Sequence, residues 1–170
     1  NGALTKRNHS KQIREAVAGQ YPKAIVLSCV DSRVPVEDVF DLGIGDIFVA
    51  RVAGNCENTD ILGSMEYACK VAGSKVIMVL GHEHCGAVKS AIDDVKLGNI
   101  TALLENIRPA TKAFQDYVGK RTSKNLEFLH MVAEQNVRNT LQDIRSRSPI
   151  LAGMENKGGI QLVGGIDRKS

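Results

Sequence analysis

The sequence has no tryptophan, and aromatic residues make up only 4% of its 170 residues. It holds four cysteines, and its formal net charge is only +3 at pH 7. Four cysteines are too few for a small secreted domain held together by disulfide bonds, so we expect free thiols or metal ligands. The near balance of charge argues against a nucleic-acid partner. No apolar run approaches the roughly 18 residues of a membrane span, so no membrane partner is expected either.

The composition is typical of a globular protein, with 43% hydrophobic and 24% charged residues. A chain of this length fits one domain of ordinary size, so we predict a single domain over residues 1–170. The sequence shows no charged and apolar leader, although it begins with Asn1 rather than methionine. A cytoplasmic location is therefore expected, with a trimmed targeting segment left open.

Short apolar runs alternate with longer helical patterns along the chain. Strands are predicted over residues 24–29, 46–51 and 75–81, and helices over 60–72, 86–97, 101–117 and 125–146, followed by a final apolar run at 160–166. The first run is apolar throughout, as in a strand that is buried on both faces. The helix at 60–72 joins the second and third strands in the manner of a crossover helix. This order predicts an α/β fold with an open, mainly parallel β-sheet flanked by helices.

Two of the predicted strands end in residues that bind metals. Cys29 follows the first strand, and His82 and Cys85 follow the third. Ligands of open α/β sheets gather at the carboxyl ends of the strands, so neighbouring strands would bring these three side chains together. Two thiolates and an imidazole suit Zn²⁺, and three protein ligands leave the open position that a catalytic zinc needs. The alternative is a buried, inert Cys29 beside a His-x-x-Cys spacing that arises by chance.

Asp31 and Arg33 lie two and four residues beyond Cys29. A bidentate pair with the guanidinium would keep Asp31 ionised and able to orient a zinc-bound hydroxide. Without Arg33, the carboxylate could instead bind zinc as a fourth ligand and close the site. The other interpretation is a surface ion pair that stabilises the fold by under about 1 kcal/mol. The spacing alone does not decide between these interpretations.

The remaining cysteines and histidines have no predicted role in the chemistry. Cys69 lies on the apolar face of the predicted crossover helix and is expected in the core, whereas Cys56 is a loop thiol. His84 stands between two candidate ligands, but neighbours in a turn point apart, so a proton shuttle is the less favoured interpretation. His9 and His130 are expected at the surface.

Four segments carry these candidate residues and their neighbours: Cys-Val-Asp-Ser-Arg-Val-Pro at 29–35, Gly-Asp-Ile-Phe-Val-Ala-Arg-Val-Ala-Gly-Asn at 45–55, Ser-Met-Glu-Tyr at 64–67 and Gly-His-Glu-His-Cys-Gly-Ala at 81–87. In this order and spacing they resemble the successive motifs of the β-class carbonic anhydrases. The resemblance is strong over residues 19–88 and looser from there to 151. It implies that family's fold and its zinc-dependent, reversible hydration of CO₂ to bicarbonate and a proton.

The resemblance assigns roles to the residues already singled out. It implies a Zn²⁺ ion held by Cys29, His82 and Cys85, with Asp31 and Arg33 as the catalytic pair. Two thiolates would make the metal a weaker Lewis acid than three histidines do, so we expect activity to rise toward alkaline pH.

The resemblance also assigns residues to substrate. Gln20 would hydrogen-bond substrate or bicarbonate from the partner subunit, and the backbone N–H of Gly86 would donate to bound bicarbonate. Phe48, Ala53 and Tyr67 would line a narrow apolar slot for CO₂. The family forms dimers with active sites at the subunit interface, so a homodimer or a dimer of dimers, a homotetramer, is expected. The helix that packs on the partner in relatives is expected to be incomplete at this N-terminus.

The chain departs from the family pattern at two informative positions. Val52 follows Arg51 where an asparagine is common, which would alter a hydrogen bond near the pocket rim. Val26 stands where some members carry the tryptophan of a regulatory bicarbonate site, so no such site is expected.

Two other functions remain as alternatives. The same zinc site could hydrolyse carbonyl sulfide or carbon disulfide, since the attacking hydroxide is identical and selectivity depends on the shape of the pocket. A non-catalytic zinc protein is the weaker alternative, because Arg33 would draw Asp31 away from the metal.

Overall fold

The protein is built around a four-stranded sheet in which every pairing is parallel. The computed structural model describes residues 9–168, with the backbone alone for His9. The strands are β1 Ala24–Ser28, β2 Ile47–Arg51, β3 Val76–His82 and β4 Gln161–Asp167, in the spatial order β2-β1-β3-β4. The predicted α/β class with an open parallel sheet is confirmed.

Helices flank this sheet. They are α1 His9–Ala16, α2 Val36–Val39, α3 Thr59–Glu66, α4 Gly86–Ile92, α5 Gly98–Glu105, α6 Arg108–Lys112, α7 Leu126–Arg147 and α8 Pro149–Asn156. The sequence of α7, the longest of them with 22 residues, is interrupted by charged side chains. Within residues 9–168, no helix combines the length and the apolar character that crossing a membrane requires.

The sheet is covered on both faces, as the apolar run of β1 predicts. On one face, Leu27 of β1 and Val79 of β3 join a core that α3, α7 and α8 complete. On the other face, Val26 of β1 packs in a smaller cluster with Val36 of α2. Neighbouring side chains of a strand point to opposite faces, so a central strand with cover on both sides must be apolar at every position.

Three predicted helices differ from the observed ones, and the helix predicted over 86–97 is observed as α4, which ends at Ile92. The crossover helix is present as α3 but passes into a wider π-helical turn over Tyr67–Val71. The single helix predicted over 101–117 is wrong, because Pro109 lacks the N–H that a continuing helix would use and instead lies in the first turn of α6.

Three observed helices were not predicted, of which α2 is a single turn over Val36–Val39. Helix α8 begins after Ser148, whose side chain accepts a hydrogen bond from the Leu151 N–H in the manner of an N-cap. Helix α1 lies in the N-terminal region that was expected to be incomplete, and residues 1–8 lie outside the described part of the chain.

The topology decides where the candidate site lies. Strands β1 and β3 are direct neighbours, and their register pairs Ser28 with Leu80. Cys29 follows β1 immediately, and His82 is the last residue of β3. The two carboxyl ends therefore lie side by side, and a third cluster of buried residues from α4 to α7 covers them.

Candidate metal centre and its surroundings

The structure brings Cys29, His82 and Cys85 together at the carboxyl ends of β1 and β3. The ligand atoms of the three side chains lie within 4.8 Å of one another, and each residue is at most 3% exposed. Within residues 9–168 this is the one group of three or more such side chains close enough to share a metal ion. The predicted convergence of the three residues is therefore confirmed.

The spacing of the two sulfur atoms suits a tetrahedral zinc. The Sγ atoms of Cys29 and Cys85 are 3.9 Å apart. Two thiolates at about 2.3 Å from a tetrahedral Zn²⁺ would be about 3.8 Å apart. The residues present therefore fit this metal in both chemistry and geometry.

A tight turn returns the chain from β3 to the site. His84 adopts a left-handed backbone with φ of 59°, and Cys85 directly precedes the first residue of α4. The pKa of the Cys85 thiol is raised by its hydrogen bond to Cys29 and by burial. The backbone N–H groups of Ala87 and Val88, in the first turn of this helix, oppose that rise. The helix start therefore supplies partial positive charge to a sulfur that must ionise to bind metal.

The two thiols interact, so that ionisation of one sulfur opposes ionisation of the other. A hydrogen bond from Cys85 lowers the pKa of Cys29 to about 4, although burial opposes the shift. The same hydrogen bond, together with burial, raises the pKa of Cys85 above its ordinary value. Both sulfurs can be ionised at neutral pH only when a cation balances the second charge. This pairing is chemically suited to a divalent, thiol-binding metal such as Zn²⁺.

Asp31 and Arg33 form a bidentate pair beside the metal ligands. The Arg33 guanidinium donates to the two carboxylate oxygens of Asp31 over 2.9 and 2.7 Å, and the Arg33 backbone N–H adds a third bond of 3.0 Å. These bonds hold the pKa of Asp31 well below its usual range. One Asp31 oxygen lies 3.9 Å from Nε2 of His82. The pair is therefore part of the site's surroundings rather than an isolated surface contact.

Arg51 holds the loop that follows β1, from Cys29 to Asp31, and sequence reasoning missed this role. Its guanidinium donates to the backbone oxygens of Cys29, over 2.8 Å, and Asp31, over 2.5 Å. Arg51 ends β2 and lies opposite Ser28 of β1 in the parallel register. Its position at the carboxyl end of the strand next to β1 could have indicated this role from the sequence.

Sequence reasoning also missed a contact between Gly54 and Cys29, which the side chains of Asn136 and Cys56 support. The Gly54 N–H donates to Sγ of Cys29 over 3.4 Å. Its carbonyl accepts hydrogen bonds from Nδ2 of Asn136, over 2.7 Å, and from the thiol of Cys56, over 3.3 Å. Cys56, predicted as a loop thiol without a role, is thus a buried donor. No local pattern predicts the contact between Asn136 and Gly54, because the two residues are 82 positions apart along the chain.

Two of the predicted substrate residues lie next to metal-site groups in the chain. Ala53 precedes Gly54 in a short 3₁₀ turn, and Gly86 is the exposed first residue of α4, directly after Cys85. Gln20 is also exposed, but it lies before β1, at the opposite end of that strand from Cys29. Within a single chain, Gln20 and the metal ligands therefore lie at opposite ends of β1.

Phe48 and Tyr67 lie together in a separate groove. Their ring centroids are 6.2 Å apart in an edge-to-face arrangement. They line an open groove of about 720 Å³, and none of the three metal ligands contributes to its wall. Within one chain, the structure therefore pairs the two rings with each other rather than with the metal ligands.

Among the described residues, the other histidines and Cys69 are not part of the metal-ligand group. Nε2 of His130 lies 3.0 Å from Oε1 of Glu134 on α7, and His130 lines a small cavity of about 120 Å³ together with His84. Cys69 is buried in the main core, as predicted. The side chain of His9 lies outside the described residues.

The chain is similar to known proteins along most of its length. A family model described as carbonic anhydrase matches residues 24–168. Carbonic anhydrase 2 of Mycobacterium tuberculosis is 34% identical over 152 residues, which cover 86% of this chain and 70% of that protein. The carbonic anhydrase of Mycolicibacterium smegmatis is 38% identical over 138 residues, covering 78% and 64% respectively. The solved β-carbonic anhydrase CcaA aligns with a TM-score of 0.82 at 25% identity, over 94% of this chain and 75% of that one.

Proposed function

Since the chain belongs to the carbonic anhydrase family, in its β class, we propose that it catalyses the zinc-dependent, reversible hydration of CO₂ to bicarbonate and a proton. One observation carries the zinc-dependent part of this proposal. Cys29, His82 and Cys85 form a buried group at the carboxyl ends of two adjacent strands, with a sulfur spacing that suits zinc.

The three ligands account for the metal's share of the chemistry. Bound there, Zn²⁺ would lower the pKa of a water molecule, so that hydroxide is available near neutral pH. Three protein ligands leave a fourth coordination position, which a structural site would fill with another cysteine or histidine.

Asp31 is proposed to orient the attacking oxygen. Its carboxylate is held ionised by Arg33 and can only accept hydrogen bonds in that state, so it would accept one from the nucleophile. A lone pair of the nucleophile is then directed toward the carbon of CO₂. Arg33 would also keep Asp31 away from the metal, because a carboxylate that moved to the fourth position would give up the bidentate pair.

The substrate site is proposed to need a second copy of the chain. Ala53 and Gly86 would come from the chain that holds the metal, whereas Gln20, Phe48 and Tyr67 would come from its partner in a homodimer or a dimer of dimers. This assignment is supported by the separation of the Phe48 and Tyr67 groove from the metal ligands within one chain. It is also supported by the exposure of Tyr67, which is 51% accessible despite its apolar ring.

Stopped-flow measurement of CO₂ hydration at about pH 8.5 tests the proposal, at a pH where water on zinc should be ionised. The zinc-loaded protein should be active, Cys85→Ser should be inactive, and Asp31→Asn should lose at least about 100-fold in rate. Cys69→Ala is the matched control, because it removes a buried thiol that belongs to the main core and not to the metal-ligand group. It should retain activity.

Other outcomes would redirect the proposal. If the zinc-loaded protein does not hydrate CO₂ but releases sulfide from carbonyl sulfide or carbon disulfide, the same site serves the sulfur substrates. If it binds zinc and does neither, the site is non-catalytic. A rate that stays flat between about pH 6 and pH 9 would contradict the proposed role of water ionisation at zinc.

A further inference from the structure

The backbone of Gly54 connects helix α7 to a metal-binding sulfur. Its N–H donates to Sγ of Cys29 over 3.4 Å, and its carbonyl accepts from Nδ2 of Asn136 over 2.7 Å. The two groups stand on either side of one glycine Cα, in a left-handed conformation with φ of 74°. Glycine has more backbone freedom than any other residue, so the direction of this N–H depends on what holds the residue in place.

Asn136 is well placed to hold it. The residue is 1% exposed and lies in the middle of α7, a 22-residue helix that contributes to the main core. Its amide nitrogen is committed to the Gly54 carbonyl, and its amide oxygen lies 4.0 Å from the thiol of Cys56. Burial raises the pKa of Cys56 to about 12, so this thiol keeps its proton and donates to the same carbonyl. Two buried donors thus fix one carbonyl oxygen.

We propose that Asn136 is a positioning residue for the zinc-binding thiolate of Cys29, acting through the Gly54 backbone. By holding the Gly54 carbonyl, Asn136 aims the Gly54 N–H at the sulfur and thereby orients and stabilises the ligand. This inference rests on the proposed zinc site and adds a residue that supports it from another element of the fold. Groups that orient metal ligands in this way typically contribute about 10- to 100-fold to metal affinity.

Two substitutions remove the amide donor in different ways. Asn136→Leu replaces the side chain with an apolar one of similar size, and Asn136→Asp keeps the shape but offers an oxygen to the Gly54 carbonyl. Thr140→Val is the matched control, because Thr140 lies one turn further along the same helix and is similarly buried, at 2% exposure. Cys56→Ala removes the weaker donor and leaves Asn136 in place.

Zinc affinity, measured by competition with a coloured chelator, is the main readout, and folding is checked by circular dichroism. A second readout is the thiolate-to-metal absorption band of the Co²⁺-substituted protein, which reports on the sulfur ligands directly. The expected result is a loss of about 10- to 100-fold in zinc affinity for both Asn136 variants, with a shifted cobalt band. Thr140→Val should match the wild type, and Cys56→Ala should show a smaller loss.

Three results would overturn the inference. The first is zinc affinity within twofold of the wild type in a folded Asn136 variant. The second is an equal loss in Thr140→Val, which would indicate a general effect of disturbing α7. If neither Asn136 variant folds, Asn136→Ser decides, because its smaller polar side chain is too short to reach the Gly54 carbonyl, and unchanged affinity and cobalt band in that variant is the third. A wild-type protein that binds no zinc would instead refute the proposed metal site itself, so the two failures are distinguishable.

Discussion

Alanine substitutions at three glycines should separate backbone strain from steric crowding near the metal site. Gly54 has a left-handed backbone, and an added Cβ would lie 2.4 Å from Cδ1 of Ile107. Gly73 is also left-handed, with φ of 83°, but nothing lies within 4 Å of its Cβ position. Gly63 lies in α3 without a positive φ and has open space around it. The three sites therefore differ in one factor at a time.

The expected changes in unfolding free energy follow from these differences. Gly63→Ala should stabilise the protein by about 0.5–1 kcal/mol, because alanine loses less backbone entropy in a helix. Gly73→Ala should cost about 1–2 kcal/mol for the left-handed conformation alone. Gly54→Ala adds to this an overpacking penalty of about 1–3 kcal/mol, for a total of about 2–5 kcal/mol.

Urea unfolding of the zinc-free, reduced protein is the assay, with all variants at one protein concentration because subunit association would shift the midpoint. The decisive comparison is Gly54→Ala against Gly73→Ala. Equal losses in these two variants would refute the argument from crowding at Ile107. A Gly73→Ala variant as stable as the wild type would refute the argument from backbone conformation.

Two further predictions concern charged pairs. Arg33→Gln removes the bidentate hold on Asp31 and should lower CO₂ hydration by about 10- to 100-fold in stopped-flow assays, whereas unchanged activity would exclude Arg33 from positioning the carboxylate. The second pair joins Arg145 to Glu155 over 2.7 and 2.8 Å, and Arg145 lowers the pKa of Glu155. Because the folded-state pKa is lowered, the pair stabilises the fold above the ordinary glutamate pKa, and this stability is lost as pH falls through the lowered value. Arg145→Met should therefore reduce unfolding free energy by under about 1 kcal/mol near pH 7, given that the arginine is half exposed, and by nothing in strong acid. A difference in urea midpoint that persists in strong acid would contradict this account.

Much of the fold is visible in local patterns of the sequence. The strand β1 is apolar at nearly every position because it is central and covered on both faces, and this makes it recognisable without a structure. The break between α5 and α6 shows the limit of such patterns. Apolar spacing continues across residues 101–117, but the missing N–H of Pro109 starts a new helix within it.

The three candidate metal ligands could also be predicted from the sequence. Cys29 and His82 stand at strand ends, and parallel strands that are neighbours in a sheet bring their carboxyl ends together whatever lies between them in the chain. Cys85 follows within the same turn. The sequence by itself therefore predicted the fold class and the convergence of Cys29, His82 and Cys85. The spacing of Asp31 and Arg33, in contrast, left their role open until the structure showed the pair beside His82.

Only the tertiary structure decided which groups support those ligands. Arg51 reaches the carbonyls of Cys29 and Asp31 from the neighbouring strand, and Asn136 reaches Gly54 from a helix 82 residues away along the chain. Hydrophobic periodicity reports which face of an element is buried, but not which side chain of a distant element it meets there. That choice depends on how α7 packs against the sheet, and it places the Asn136 amide on the carbonyl of the glycine whose N–H contacts the Cys29 sulfur.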